Sequence, residues 1–270
     1  LVYGASRLWD QPNDLMASLL DNLHKDRIAI DTLEFSGDAF ENVDQRLIGL
    51  SLVELGFCKA AMFSANGEAQ RPSEILYKRP VILQRGRFRP PTKVHADILR
   101  RAQEDLSADP QLKVDRDRIV SLYGINLSEL RETTDDPIED FLERISALTA
   151  GNHSILVSDS PDHYFVVDFL ARFGAQQIAL PVGIIEFMNA IRAEHFTHLQ
   201  GGLLEAVGRL IGLGCYFCVY PGLDPKSGRR IDLASCDLPA STSKLIDYLI
   251  QHEYVRPLEG LPDDELRLGS

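Results

Sequence analysis

Cysteine, tryptophan, positive charge and long apolar runs are all scarce in this chain, and each shortage excludes something. Four cysteines in 270 residues (Cys58, Cys215, Cys218, Cys236) are too few and too scattered for a disulfide framework. Cys215 and Cys218 have the spacing of a redox pair, but both fall in the apolar run Cys215 to Tyr220, which reads as a buried strand. Strand positions three apart face opposite sides, so the pair is expected as two buried free thiols. A membrane helix needs about 20 consecutive apolar residues, and no run approaches that length. No signal peptide is visible either, so the expectation is a non-membrane protein of a reducing compartment, the cytoplasm. Lys and Arg number 28 against 40 Asp and Glu, a net charge of -12, which argues against nucleic acid or an anionic membrane as a partner. The first residue is Leu1 and not methionine, so sequence upstream is expected. A place in a larger chain and a homo-oligomer are both compatible with what is given.

Apolar residues make up 44% of the chain, enough for a proper α/β core. The scarce basic residues gather in one place, since Lys78, Arg79, Arg85, Arg87, Arg89, Lys93, Arg100 and Arg101 all lie between 78 and 101. A local basic cluster in an acidic protein suits a small phosphorylated ligand better than a polymer, although a solvated face has the same composition. Within the cluster, Val81 to Leu83 reads as a short buried strand. Gly86, Pro90 and Pro91 make a turn, and a helix begins near Thr92 and runs through Leu106. A strand that feeds a glycine-containing turn and then a helix start gathers unpaired backbone N–H groups at a partial positive charge. The bland reading of the same residues is a strand ended by two prolines and a helix capped by Thr92.

The spacing Gly86, Phe88, Pro90, Thr92, His95 resembles the phosphate-binding signature of the nucleotidylyltransferase superfamily, in which a glycine, an aromatic, a proline and Thr/His-x-Gly-His follow the first strand of a Rossmann-like sheet. The pantetheine-phosphate adenylyltransferase branch, which also has Thr at the first polar position, is the most similar. The resemblance implies ATP, bound with Mg²⁺, as cofactor and donor, and transfer of its adenylyl group to a phosphate-bearing acceptor such as a mononucleotide or a phosphopantetheine-like molecule. It implies that His95 holds the ATP phosphates, that Thr92 and Lys93 assist, and that Gly86, Arg87, Phe88 and Arg89 lie along the nucleotide. The family's glycine before the histidine is Val94 here.

Later in the chain Ser241, Thr242, Ser243 and Lys244 open a helix, and this cluster is similar to the superfamily's second signature, a Ser/Thr run with a basic residue that contacts the triphosphate. The whole run, with Tyr77-Lys78 before the motif and the helix around Leu203 leading to Tyr220-Pro221, also resembles a bacterial family associated with nicotinate-nucleotide adenylyltransferases. That family carries the name TonB-dependent receptor too, but helices throughout this chain do not match alternating membrane strands of about 10 residues.

In order, the pattern predicts a helix over 14–25, a strand over 27–35, a helix over 43–55 and a strand over 58–63. Asn66-Gly67 is a turn signal, with a return strand expected over 74–77. Residues 107–149 read as a helical insertion, a linker or flap, in which Leu122, Tyr123, Ile125, Leu127 and Leu130 are expected to share one helix and Ile138 to Leu148 another. From 150 onward strand and helix alternate: strands over 154–157, 177–182 and 215–220, helices over 161–173, 184–191 and 199–211. That alternation predicts an α/β fold, a Rossmann-like mostly parallel sheet covered by helices. The expected division is an N-terminal α/β unit over 1–79 and a nucleotidylyltransferase-like domain over 80–270.

Ser158 and Asp159 end a predicted strand, a position at which α/β sheets bind ligands, and are candidate pocket residues; plain helix capping is their alternative role. His195 and His198 lack a cysteine or paired carboxylate in register, so no metal site is expected. A second functional reading is a fold that has lost its chemistry and serves as a ligand-sensing or assembly domain of a larger protein. Val94 favours it.

Overall fold

The computed structural model describes residues 2–19, 29–41, 43–110, 115–133, 135–160 and 162–268. In chain order the elements are α1 (Val2–Arg7), α2 (Pro12–Ser18), α3 (Gln45–Glu54), β1 (Ala60–Phe63), β2 (Ala69–Gln70), α4 (Pro72–Leu76), β3 (Val81–Arg85), α5 (Lys93–Ala108), β4 (Val120–Asn126), α6 (Leu127–Thr133) and α7 (Pro137–Ala150). They continue with β5 (Ser154–Ser158), α8 (His163–Arg172), β6 (Ile178–Gly183), α9 (Ile184–Ala190), α10 (Gly202–Gly212), β7 (Cys215–Tyr220), β8 (Gly222–Leu223), β9 (Arg230–Ile231), α11 (Ser243–Gln251), β10 (Val255–Pro257) and α12 (Asp263–Leu268). The fold is Rossmann-like α/β, with an eight-stranded, mostly parallel sheet in the order β10-β7-β6-β3-β4-β5-β1-β2. No helix among the described residues is long and apolar enough to cross a membrane.

The chain forms two compact units, Leu1–Ile75 with Tyr123–Phe169, and Leu76–Leu122 with Leu170–Ser270. The boundaries therefore fall at three places, where the sequence suggests one near 79, and residues 123–149 group with the N-terminal segment.

In the first unit β1 pairs antiparallel with both β2 and β5. Gly67 makes the predicted turn at a φ of 79°, a conformation glycine adopts without a Cβ clash. The return strand after it is Ala69–Gln70, while the segment expected as strand over 74–77 is largely helix α4. Pro72 decides this, because its fixed φ and missing N–H suit a first helical turn. Residues 29–35 are irregular and not strand; the rest of that prediction, and the C-terminal part of the helix expected over 14–25, lie largely outside the described residues. The helix predicted through Leu122 and Leu130 is instead strand β4 followed by α6. Nearly every residue of β4 is buried, and a strand covered on both faces reads as a continuous apolar run, without the alternation that would distinguish it from a helix. The helix over 138–148 is present as α7, capped by the Asp136 carboxylate, which accepts from the Glu139 N–H at 3.1 Å.

In the second unit β3, β6, β7 and β10 run parallel. Val182, Ile184, Phe187, Val219, Ile246 and Leu249 form a core between the sheet and helices α9 and α11. Helix α5 buries Ile98, Leu99, Ala102 and Leu106, a spacing that gives one apolar stripe. Both strand thiols are buried and free, as their strand position implies. Burial raises the pKa of each, so neither is a ready thiolate.

Candidate functional site

After β3 the chain runs through α5 to β4, which lies on one side of β3 in the sheet; after β6 it runs through α9 and α10 to β7, on the other side. Neighbouring strands whose connections depart in opposite directions leave a crevice at their C-terminal ends, where open α/β sheets bind ligands. A cleft of about 140 Å³ occupies that place. Gln84 and Arg85 of β3, Thr92, Val94, His95 and Ile98 from the start of α5, Pro181, Val182 and Gly183 of β6, and Glu186 of α9 line it. All belong to the second unit.

Thr92 and His95 form a reciprocal capping box at the start of α5. The Thr92 backbone N–H donates to His95 Nδ1 at 3.0 Å, and the Thr92 hydroxyl lies 2.9 Å from the same nitrogen. A ring nitrogen that faces an N–H and a hydroxyl acts as the acceptor, so the ring proton sits on Nε2. Burial lowers the His95 pKa, which keeps the imidazole neutral at pH 7. His95 thus lines the cleft as a neutral ring protonated on Nε2, at the partial positive charge of a helix N-terminus.

Phe88, only 1% exposed, packs its ring edge-on against His95 with centroids 5.0 Å apart. A Cβ on Gly86 would come within 3.2 Å of the Phe88 ring, so this glycine makes room for the phenylalanine. Gly86 and Phe88 thus hold the histidine in place and do not line the cleft. Arg87, Arg89 and Lys93 are exposed on the turn and the first helical position.

The basic cluster does not converge. Lys78 and Arg79 precede β3 while Arg85, Arg87 and Arg89 lie at its far end, about 20 Å away for a strand of this length. Arg79 donates to the carbonyl of Arg118 at 2.9 Å. Arg100 and Arg101 pair with Asp97, and Arg101 also with Glu259. Only Arg85 of the eight lines the cleft.

Asp97, 7% exposed, anchors α5. Besides its arginines it accepts from the Tyr220 hydroxyl at 2.6 Å, and that same oxygen accepts from the Leu261 N–H at 2.8 Å. One phenol thus joins α5, β7 and the chain beyond β10.

The second predicted cluster is placed differently. Thr242 is 3% exposed and its hydroxyl donates to the Pro239 carbonyl at 3.2 Å, while Ser243 donates to Ala240 at 3.4 Å. Ser241 and Lys244 are exposed, and none of the four lines the cleft. Ser158 and Asp159 belong to the first unit, where Ser158 is buried and Asp159 pairs with Arg131 at 3.3 Å. The Gly201 N–H donates to the Glu205 carboxylate at 2.8 Å. No group of His, Cys, Asp and Glu among the described residues could hold a metal ion.

A wider groove of about 610 Å³ follows α7 in the first unit, lined by Asp136, Ile138, Glu139, Leu142, Glu143 and Ser146. One helix supplies all of it, and its charge is acidic. The cleft at β3 and β6 is smaller but draws on four elements, and convergence of elements marks a binding site better than volume does.

Sequence reasoning missed Gln84, Gly183 and Glu186. The signal for Gln84 was a polar residue that follows three buried apolar ones in a strand. No protein-family model and no curated protein matches this chain.

Proposed function

We propose that the second unit is a nucleotide-binding domain of the adenylyltransferase type, which holds the phosphates of Mg-ATP between the start of α5 and the C-terminal ends of β3 and β6. One observation carries the reading: the Thr92–His95 box fixes a neutral imidazole donor beside a helix N-terminus in the crevice between strands of opposite connection. In the transfer, an oxygen of the acceptor phosphate attacks the α-phosphorus of ATP. The bond to the α–β bridging oxygen breaks, and pyrophosphate leaves. Such in-line displacement depends on positioning and charge stabilisation more than on covalent chemistry. His95 and Arg85 line the cleft, and in this reading they meet phosphate oxygens. Mg²⁺ would arrive on the nucleotide and offset the charge of its phosphates.

Calorimetric titration with Mg-ATP tests this, followed by assay of pyrophosphate release with mononucleotide and phosphopantetheine acceptors. The expected result is micromolar binding that His95→Ala weakens by tenfold or more. Absence of heat from the unaltered protein would remove the reading.

A second reading, binding without transfer, is favoured by Val94, which lines the cleft where the superfamily's signature has glycine. Binding of Mg-ATP with no pyrophosphate release from any acceptor would select it.

A further inference from the structure

Gln84 is 2% exposed, lines the cleft, and its side-chain oxygen Oε1 has no hydrogen-bond partner. A buried carbonyl oxygen without a donor costs free energy that an apolar side chain of the same volume would not. The cleft's polar groups differ in kind. The His95 imidazole and the start of α5 bring a ring N–H and positive potential, which suit an anion; Gln84 Oε1 is an acceptor, which suits an O–H group. A bare phosphate satisfies only the first set.

We infer that Gln84 is the specificity-determining residue of this cleft and that it selects a phosphoester carrying hydroxyl groups, of the kind a nucleotide ribose presents, by accepting an O–H at Oε1. This rests on the nucleotide-binding reading above and names the part of the ligand that the cleft reads besides phosphate. Discrimination of this kind is strong because a ligand that lacks the hydroxyl leaves the buried oxygen unpaired.

The test compares the unaltered chain with Gln84→Met, titrating each with Mg-ATP, Mg-2′,3′-dideoxy-ATP and Mg-pyrophosphate. The unaltered protein is expected to bind Mg-ATP about tenfold more tightly than the dideoxy compound, and the variant to bind the two equally. Pyrophosphate affinity should be the same in both proteins. Thermal unfolding without ligand gives an independent readout: removal of an unpaired buried polar group should raise the Tm of the variant by about 2 °C or more. Equal binding of ATP and dideoxy-ATP by the unaltered protein would overturn the inference and leave nucleotide binding standing. A lowered Tm in the variant would show Gln84 to be a structural partner and would overturn it too. If the unaltered protein binds neither nucleotide, both readings fall together.

Discussion

Two helix starts in the second unit carry hydroxyl-bearing side chains, and they differ in where those groups point. At α5 the Thr92–His95 box turns its donors and acceptors on itself, and both of its residues line a cleft. At α11 the Thr242 and Ser243 hydroxyls donate to carbonyls of the preceding turn, and Thr242 is buried. Composition is nearly the same at both. What separates them is a histidine at the third helical position and a neighbouring strand, β6, whose connection departs the other way. A Ser/Thr cluster caps a helix by default, and it becomes a ligand site only where the sheet opens beside it.

The largest expected effect breaks the anchor on which the α5 site depends. Asp97→Ala removes a buried carboxylate and leaves the buried Tyr220 hydroxyl without its acceptor, while Arg100 and Arg101 keep Glu104 and Glu259, so urea unfolding should show a loss of about 2–3 kcal/mol. Next, the two starts can be compared by ligand. His95→Ala should weaken Mg-ATP by tenfold or more, whereas Lys244→Ala should change it by less than about twofold, measured by calorimetry. Equal losses would erase the distinction between the two helices. The Thr92 cap is the third test. Thr92→Ala should cost about 1 kcal/mol in urea unfolding, and because the box also fixes the imidazole tautomer it should weaken Mg-ATP as well. Thr242→Ala should lower stability without touching affinity.

The smallest effect is in pH. Burial holds the His95 pKa below its ordinary value of 6.5, so the unfolded chain binds the proton more readily than the folded one. The stability tied to the neutral ring is therefore fully present above about 6.5 and is lost as pH falls below that value towards the folded pKa. Burial lowers the His153 pKa in the first unit with the same sign. His95→Ala should flatten, but not abolish, the slope of stability between about pH 5 and 7, which urea midpoints across that range would register.

Much of this was legible from residues alone. Pro90, Pro91 and Thr92 fix the end of a turn and the start of a helix through backbone chemistry, and α5 begins at Lys93 as they require. The alternation after 150 gives β5, β6 and β7 because each strand is bounded by turn residues. Strand β4 was not legible, since an apolar run buried on both faces has no period. Nor was the scattering of the basic cluster, because a straight strand separates neighbours in sequence at a rate no composition records. Gly86 shows a subtler limit. The need for a missing Cβ is readable, but the object that fills the space, Phe88 and not a ligand, belongs to tertiary packing.

The Tyr220 hydroxyl also constrains how this chain can change over generations. It donates a hydrogen bond to Asp97 and accepts one from the Leu261 N–H, so phenylalanine there would remove both bonds at once and leave Asp97 only its arginines. Aspartate at 97 and tyrosine at 220 therefore constrain one another: a change at either is expected to relax selection on the other, whatever becomes of the residues in the cleft.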